Sequence, residues 1–322
     1  MTREDFSHKA SEWASAGQPF VFLMDFEMEK PVICKPEDAA TYGLHFDIAG
    51  ISNTDNIPMS AIPDLKSSPV SREWYSERFR LVKEHIRHGD SYLLNLTFPT
   101  PIDCNLSLSD IYHTARAPYR LLYRDEFVVF SPECFVRIKD DEIFTYPMKG
   151  TIDARLEDAE NKLLDNLKEE WEHNTIVDLM RNDLAMVAHD IRVIKYRFVQ
   201  RIKTYKGEIL QTSSEIAGRL KHNWRTRLGE MLTLLLPAGS VSGAPKQKTL
   251  DIIRTAELGP RGYYTGVFGY FDGHNLDSAV AIRYIEQGID GLLFRSGGGI
   301  TAQSNEEDEY LEMIQKIYVP TL

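Results

Sequence analysis

Tyr263-Tyr264-Thr265-Gly266-Val267-Phe268-Gly269-Tyr270-Phe271-Asp272-Gly273-His274-Asn275-Leu276-Asp277-Ser278-Ala279-Val280-Ala281-Ile282-Arg283-Tyr284 is the stretch on which the fold class turns. Two runs rich in aromatic and β-branched residues flank Asp272-Gly273, a dipeptide suited to a tight hairpin. Asp290-Gly291 then introduces a third run, so strands are predicted over 263–271, 276–284 and 292–295, followed by a helix over 305–318. Upstream, 127–130, 135–138 and 143–146 read as three more strands, the last two joined at Asp140-Asp141. Apolar positions recur at helical spacing over 72–88, and 156–173 reads as an amphipathic helix through Leu163, Leu164 and Leu167. Residues 91–98 read as a strand. Strands and helices alternate irregularly, without a βαβ period, which places the chain in the α+β class. One large unit over 72–322 is expected, with a short N-terminal elaboration over 1–71 made of a few strands and a Pro- and Ser-rich linker at 62–71.

The 322 residues carry 48 acidic and 37 basic side chains, a net charge of −11. Such a surface repels nucleic acid unless a basic stripe is segregated on it. The densest basic stretch, 192–206, is interleaved with β-branched and aromatic residues and reads as a solvated strand pair, so no nucleic-acid partner is expected. No run reaches the ~18 apolar residues of a membrane span. The opening Met1-Thr2-Arg3-Glu4-Asp5 does not read as a secretory signal. Cys34, Cys104 and Cys134 are odd in number and far apart, which suits reduced thiols in a cytoplasmic protein.

Several patterns carry chemistry. In the last helix Glu309, Glu312 and Lys316 share one face, and Glu169 and Glu172 repeat the i, i+3 spacing in the 156–173 helix. Either stripe alone is an ordinary solvated face. Two helices bringing carboxylate pairs together would suit Mg²⁺, which takes oxygen ligands. Gly297-Gly298-Gly299, between a strand and that last helix, permits close backbone approach and N–H groups turned toward an anion, or is a plain turn. Gly239-Ser240-Val241-Ser242-Gly243-Ala244-Pro245-Lys246 leads into a helix over 247–256, with Pro245 suited to its first turn. That arrangement serves capping or carboxylate binding. Lys149, in Pro147-Met148-Lys149-Gly150-Thr151, is a surface cation by default. As a nucleophile it would have to be neutral, a state held by roughly one unperturbed lysine in 2,500 at pH 7.

In this order these segments resemble the catalytic domain of the chorismate-binding enzymes, a family that includes anthranilate, aminodeoxychorismate, isochorismate and salicylate synthases. The resemblance covers about 72–318. It rests on Ser131-Pro132-Glu133, Pro147 to Thr151, Glu172 to Leu184, Gly239 to Lys246, Tyr264 to Tyr270 and Gly297 to Lys316. It implies two large antiparallel β-sheets packed together and flanked by helices. It also implies Mg²⁺ held mainly by Glu172 and Glu312, with Glu169 and Glu309 close by, gripping the ring carboxylate of chorismate. Tyr264, Arg283, Lys316 and the amides around Gly298 and Gly299 match the family's carboxylate-binding groups. Gly150, Thr151 and Ser240 would line the same pocket. Glu133 matches the general acid, and His173 follows the metal glutamate as in the anthranilate branch.

Two positions sort the branches. The resemblance gives Lys149 the place of the lysine that aminodeoxychorismate synthases carry where anthranilate synthases carry alanine. That implies amination at C4 through attack of the lysine on C2, in the route to 4-aminobenzoate and folate. In Gly89-Asp90-Ser91-Tyr92-Leu93-Leu94-Asn95-Leu96-Thr97, Leu93 stands where the isochorismate and salicylate branch carries a water-activating lysine. Water addition is therefore disfavoured, while Gly89, Asp90, Tyr92, Asn95 and Leu96 fit the aminating branch. Leu93 also replaces a glutamine common there, Ala185-Met186 replaces glycine and arginine, and Cys134 replaces arginine. No glutaminase nucleophile elbow surrounds any cysteine, so ammonia is expected from a separate glutamine amidotransferase subunit. Too little chain precedes residue 72 for a complete tryptophan pocket. The same resemblance leaves two alternatives: an anthranilate synthase large subunit, and a non-catalytic relative that binds chorismate or a glutaminase.

Overall fold

A computed structural model describes residues 1–55, 62–204 and 207–321. Two nine-stranded sheets form its centre. In the first, strands run in the order Met148–Asp153, Gly207–Arg219, Glu142–Thr145, Cys134–Lys139, Leu276–Val280, Val267–Phe271, Phe20–Met24 and Val32–Cys34, with His189–Thr204 on the other edge of Gly207–Arg219. The second runs Gly243–Ala244, Leu93–Cys104, Gly291–Thr301, Tyr284–Gly288, Phe127–Ser131, Tyr119–Tyr123, Leu44–Ile48 and Ile51–Ser52, with Leu65–Ser67 beside Leu93–Cys104. Every pairing described is antiparallel. The α+β class and the two packed sheets are as the sequence and the resemblance predict.

Phe20-Val21-Phe22-Leu23-Met24 shows how the layers form. Successive side chains of a strand point to opposite faces, and all five residues are buried. Val21 and Leu23 face inward, where they meet Leu44, Phe46, Leu121 and Phe127 of the second sheet. Phe20, Phe22 and Met24 face outward and are covered by Phe6, Ala10 and Ala14 of the Arg3–Ser15 helix and by Leu228, Leu232 and Leu235 of the Leu228–Leu235 helix. Ile176, Val177, Met180 and Leu184 of the Leu167–Ala185 helix join the same cluster. The outer face of the second sheet is covered in the same way. Tyr75, Phe79 and Val82 of Arg72–Arg87, Ile252 and Ile253 of Lys246–Ala256, and Met313 of Glu306–Gln315 pack on Leu94, Leu96, Phe98 and Ile300.

Four sequence expectations change. The N-terminal segment opens with a helix, Arg3–Ser15, whose Thr2 and Asp5 form a capping box. Its buried residues are mostly alanines, so the apolar period was faint. The expected 156–173 helix is two helices, Ala159–Leu164 and Leu167–Ala185, separated where the Asn166 side chain caps the second by accepting from Glu169 N. Pro245 is the N-cap residue in extended conformation rather than part of the first turn, and Gly243-Ala244 pairs as a strand with Leu93-Leu94. The expected strand over 276–284 is split, with Leu276–Val280 in the first sheet and Tyr284–Gly288 in the second. The backbone crosses between them at Arg283, whose φ is +54°. Positive φ is uncommon for a residue with a Cβ. The basic stretch at 192–204 is a long strand on the Gly207–Arg219 strand, with many of its cations paired to the chain's own carboxylates, as at Arg192–Glu142 and Arg201–Glu208. Residues 205–206 lie outside the described residues. No described helix is long and apolar enough to cross a membrane.

Candidate active site

The split strand marks the site. Phe127–Ser131 lies in the second sheet and Cys134–Lys139 in the first, so Pro132-Glu133 is a second crossing point. The two crossings are tied together. Phe130 N donates to Arg283 O at 3.0 Å, and Val280 N donates to Glu133 O at 3.1 Å. A cavity of about 280 Å³ opens beside them, lined by Glu133, Lys149, Gly150, Thr151, Ser240, Tyr264, Arg283, Gly299, Glu312 and Lys316 among others. The resemblance gives these ten site roles, and Leu93, Asn95, Cys134 and Gly297, also singled out in the sequence, line the cavity with them.

Each wall has a local cause. Gly150, at φ +79°, is the extra residue of a bulge between Lys149 and Thr151, and a side chain there would come within 3.2 Å of Glu169 Oε2 and Leu163 Cδ1. A bulge re-aims its neighbour, and Lys149 Nζ lies 3.1 Å from Glu172 Oε2. The triple glycine is not a loop: Gly297, Gly298 and Gly299 are strand residues opposite Thr97, Leu96 and Asn95. Pairing on the strand's other side ends at Arg295, so beyond it that edge has no strand partner among the described residues. A Cβ on Gly298 would sit 3.1 Å from Glu309 Oε2 and 3.6 Å from Glu312 Oε1, and one on Gly299 3.6 Å from Lys149 Nζ. The glycines are needed because carboxylates and an ammonium crowd the sheet there. Lys316 Nζ closes this corner, 2.6 Å from Glu312 Oε1 and 2.7 Å from Gly297 O.

Electrostatics follow from burial and pairing. Burial pushes the Glu133 carboxyl above the usual carboxylate range, against the pull of Ser240, Lys316 and Lys149. Ser240 Oγ donates to Glu133 Oε1 at 2.5 Å. Burial works against charge on Lys149, but Glu172 and Glu312 outweigh it and hold the ammonium above its ordinary range. Burial and then Glu172 raise Glu169, while burial and then Glu312 raise Glu309. Burial opposes the charge of Glu312 as well, yet Lys316 brings it below the usual range. Burial lowers Lys316 despite Glu312.

Glu169, Glu172, Glu309 and Gly298 stand one contact behind the cavity wall. Among the described residues, no three Asp, Glu, His or Cys side chains converge closely enough to enclose an ion. Glu172 is turned to Lys149 and Glu312 to Lys316. The donors are nevertheless of the hard-oxygen type that Mg²⁺ takes. Glu169 and Glu309, raised first by burial and then by a neighbouring carboxylate, are groups whose charged form a bound cation would favour.

His173 departs from expectation. It is fully buried, its Nε2 is 2.6 Å from Ser214 Oγ, its Nδ1 has no partner, and it does not line the cavity. Burial, then Arg197 and Lys149, lowers it to about 4, so it is neutral at pH 7. It holds the Leu167–Ala185 helix against the Gly207–Arg219 strand.

Asp183 and Lys246 were quoted in motifs without a role, and Arg261 lies outside every quoted motif. Asp183 Oδ1 is 3.3 Å from Lys246 Nζ, which also donates to Leu235 O at 2.9 Å, so the pair clamps both ends of the loop carrying Ser240. Arg261, 1% exposed, donates to Glu257, Val241 O and Asn95 O and binds that loop to the second sheet. Both make contacts far apart in sequence, which no local pattern signals.

The family described as chorismate binding enzyme matches residues 24–321. The chain belongs to that family. A protein of Haemophilus influenzae called an uncharacterized PabA-like protein is 55% identical over 99% of this chain and 97% of its own length. Aminodeoxychorismate synthase component 1 of Escherichia coli is 33% identical over 78% of this chain. Anthranilate synthase component 1 of Pseudomonas putida is 33% identical over 80%. The matched parts are 57% and 54% of those two enzymes. The crystal structure of anthranilate synthase component I from Streptococcus pneumoniae superposes with a TM-score of 0.65 at 27% identity, over 80% of this chain and 59% of that one. An isochorismate synthase structure from Bacillus anthracis, 22% identical with a TM-score of 0.72 over 98% of this chain and 86% of that one, shows the same fold. This member of the family has Leu93 and Lys149 as neighbours across Gly299.

Proposed function

We propose that this chorismate-binding enzyme is a cytoplasmic, Mg²⁺-dependent aminodeoxychorismate synthase. It would replace the C4 hydroxyl of chorismate by an amino group, using ammonia from a glutamine amidotransferase subunit, toward 4-aminobenzoate and folate. The observation that carries the reading is Lys149, whose amine lies in the cavity near Gly299 and beside Glu172, in the same cavity as a buried carboxyl at Glu133.

In this reading Tyr264, Arg283 and Lys316 hold the substrate's carboxylates, and Gly150, Thr151 and Ser240 shape the pocket around the ring. Neutral Lys149 forms a bond to C2, the conjugated double bonds shift toward C4, and the C4–O bond breaks. Glu133 supplies the proton that makes the leaving group water, a task favoured by the burial that raises its carboxyl above the usual range. Ammonia then bonds to C4, the double bonds shift back, and the C2–N bond breaks to release Lys149. Mg²⁺, held by Glu172 and Glu312 with Glu169 and Glu309 nearby, would neutralise the ring carboxylate. The apolar Leu93 beside the lysine offers no group to activate water.

Product analysis by chromatography and mass spectrometry, with chorismate, Mg²⁺ and excess ammonium, tests this. A species that becomes 4-aminobenzoate only when an aminodeoxychorismate lyase is added supports it, as does loss of turnover with EDTA and recovery with Mg²⁺. Release of anthranilate overturns it. Lys149→Ala should bring C4 amination below about 1% of its original rate, and an unchanged product and rate would remove the lysine from the mechanism.

A further inference from the structure

Arg295 is used only in part by the fold. It stands opposite Tyr284 in the ladder, and its Nε donates to Glu286 Oε1 at 2.7 Å. The Arg295 and Glu286 side chains are 18% and 19% exposed. Neither Nη of Arg295 has a hydrogen-bond partner among the described residues, and the residue lines the cavity together with Tyr264 and Arg283. Tyr264, buried, feels the charge of both Arg283 and Arg295. Arg283 is likewise held from behind, its guanidinium 5.1 Å from the centre of the Tyr318 ring. Two guanidinium groups and a phenol therefore line the same cavity as Lys149, Lys316 and Glu312. A guanidinium fixed through Nε keeps its two Nη donors in a plane suited to a carboxylate.

The geometry points to Arg295 as a substrate-binding residue that, with Arg283, clamps the second carboxylate of a dicarboxylate substrate, Glu286 serving to fix its plane. This rests on chorismate being the substrate, since chorismate carries one carboxylate on the ring and one on its side chain. The clamp makes the site selective for dianions over ring monocarboxylates.

The test compares wild type, Arg295→Gln, Arg295→Lys and Glu286→Gln. Chorismate turnover is followed with Mg²⁺ and ammonium, and binding of benzoate and of 3-(carboxymethoxy)benzoate is followed by calorimetry. Arg295→Gln should raise KM for chorismate about 10- to 100-fold with kcat within about twofold, the loss of one charge-assisted contact. It should also abolish the preference for the dicarboxylate probe. Arg295→Lys should recover part of both, and Glu286→Gln should keep the preference. An unchanged KM and preference in Arg295→Gln overturns the clamp. So do equal shifts in Arg295→Gln and Glu286→Gln accompanied by equal losses of Tm, which would mean a structural ion pair. If wild type does not turn over chorismate but its preference for the dicarboxylate depends on Arg295, the proposed function fails and the clamp stands. If wild type binds neither probe, the clamp fails as well.

Discussion

Lys149 Nζ and Glu172 Oε2 lie 3.1 Å apart, so the resting site holds its candidate nucleophile as one half of an ion pair with a candidate metal ligand. Lys149 is therefore protonated at rest, and the carboxylate that keeps it so is the one a bound cation would draw away. Replacing Glu172 by glutamine removes the largest influence holding the ammonium up, and the pKa of Lys149 should fall. Acetylation of Lys149, followed by peptide mass spectrometry across pH, should set in at lower pH in Glu172→Gln than in wild type. Identical profiles would show that the pair does not govern the amine.

A second expectation concerns the acid. Glu133 must be protonated to act, and burial keeps its pKa high while the Ser240 hydroxyl pulls it down. Activity should fall as pH rises through the Glu133 pKa. Ser240→Ala removes a bond to the charged form, so the alkaline limb of kcat should move to higher pH, with a drop of about tenfold or less in the plateau. A limb that stays put would assign it to another group.

His173 bears on stability rather than chemistry. Its pKa falls from 6.5 to about 4 on folding, so the unfolded chain binds more protons between those values. Stability should rise with pH across that window, and on acidification from 6.5 to 4 the chain should lose on the order of 3 kcal/mol from this residue. Denaturant melts of His173→Asn should show a flatter dependence there, with ammonium-dependent turnover at pH 7.5 retained within about tenfold. A turnover loss of a thousandfold with an intact fold would return His173 to the catalytic residues.

Asp183 and Lys246 act at one remove. They hold the ends of the loop that presents Ser240 to Glu133. Displacing a catalytic group by about 1 Å can cost a hundredfold. Asp183→Asn and Lys246→Met should therefore each reduce kcat by about 10- to 100-fold, leave KM for chorismate within about threefold, and move the alkaline limb as Ser240→Ala does. A change confined to Tm would make the clamp purely structural.

What was readable beforehand divides along physical lines. The strands at 127–130, 135–138 and 143–146 and the helices at 72–88 and 247–256 follow from local period and turn residues, and each is present within a residue or two. The Arg3–Ser15 helix was missed because alanines and a single phenylalanine make its buried face. The crossing at Arg283 was missed for a different reason. The continuous apolar run Ala279-Val280-Ala281-Ile282 carries no turn residue to mark a break, and a backbone angle at Arg283 separates two strands of different sheets.

The sequence by itself determined the α+β class and, through ordered motifs, the family with its two sheets, because strand alternation and motifs are local properties of the chain. Of the fifteen residues given site roles, ten line the cavity. Tertiary structure alone decided which lysine faces which glutamate, that His173 is sealed away from the cavity, and that Asp183 and Arg261 brace the loop around Ser240. Arg295 acquired its free donors in the same way, through a sheet register that places Glu286 on one edge of its guanidinium and the cavity on the other. Those relationships join residues up to about 170 positions apart. They depend on how two twisted sheets pack, and no neighbouring side chain in the sequence carries that information.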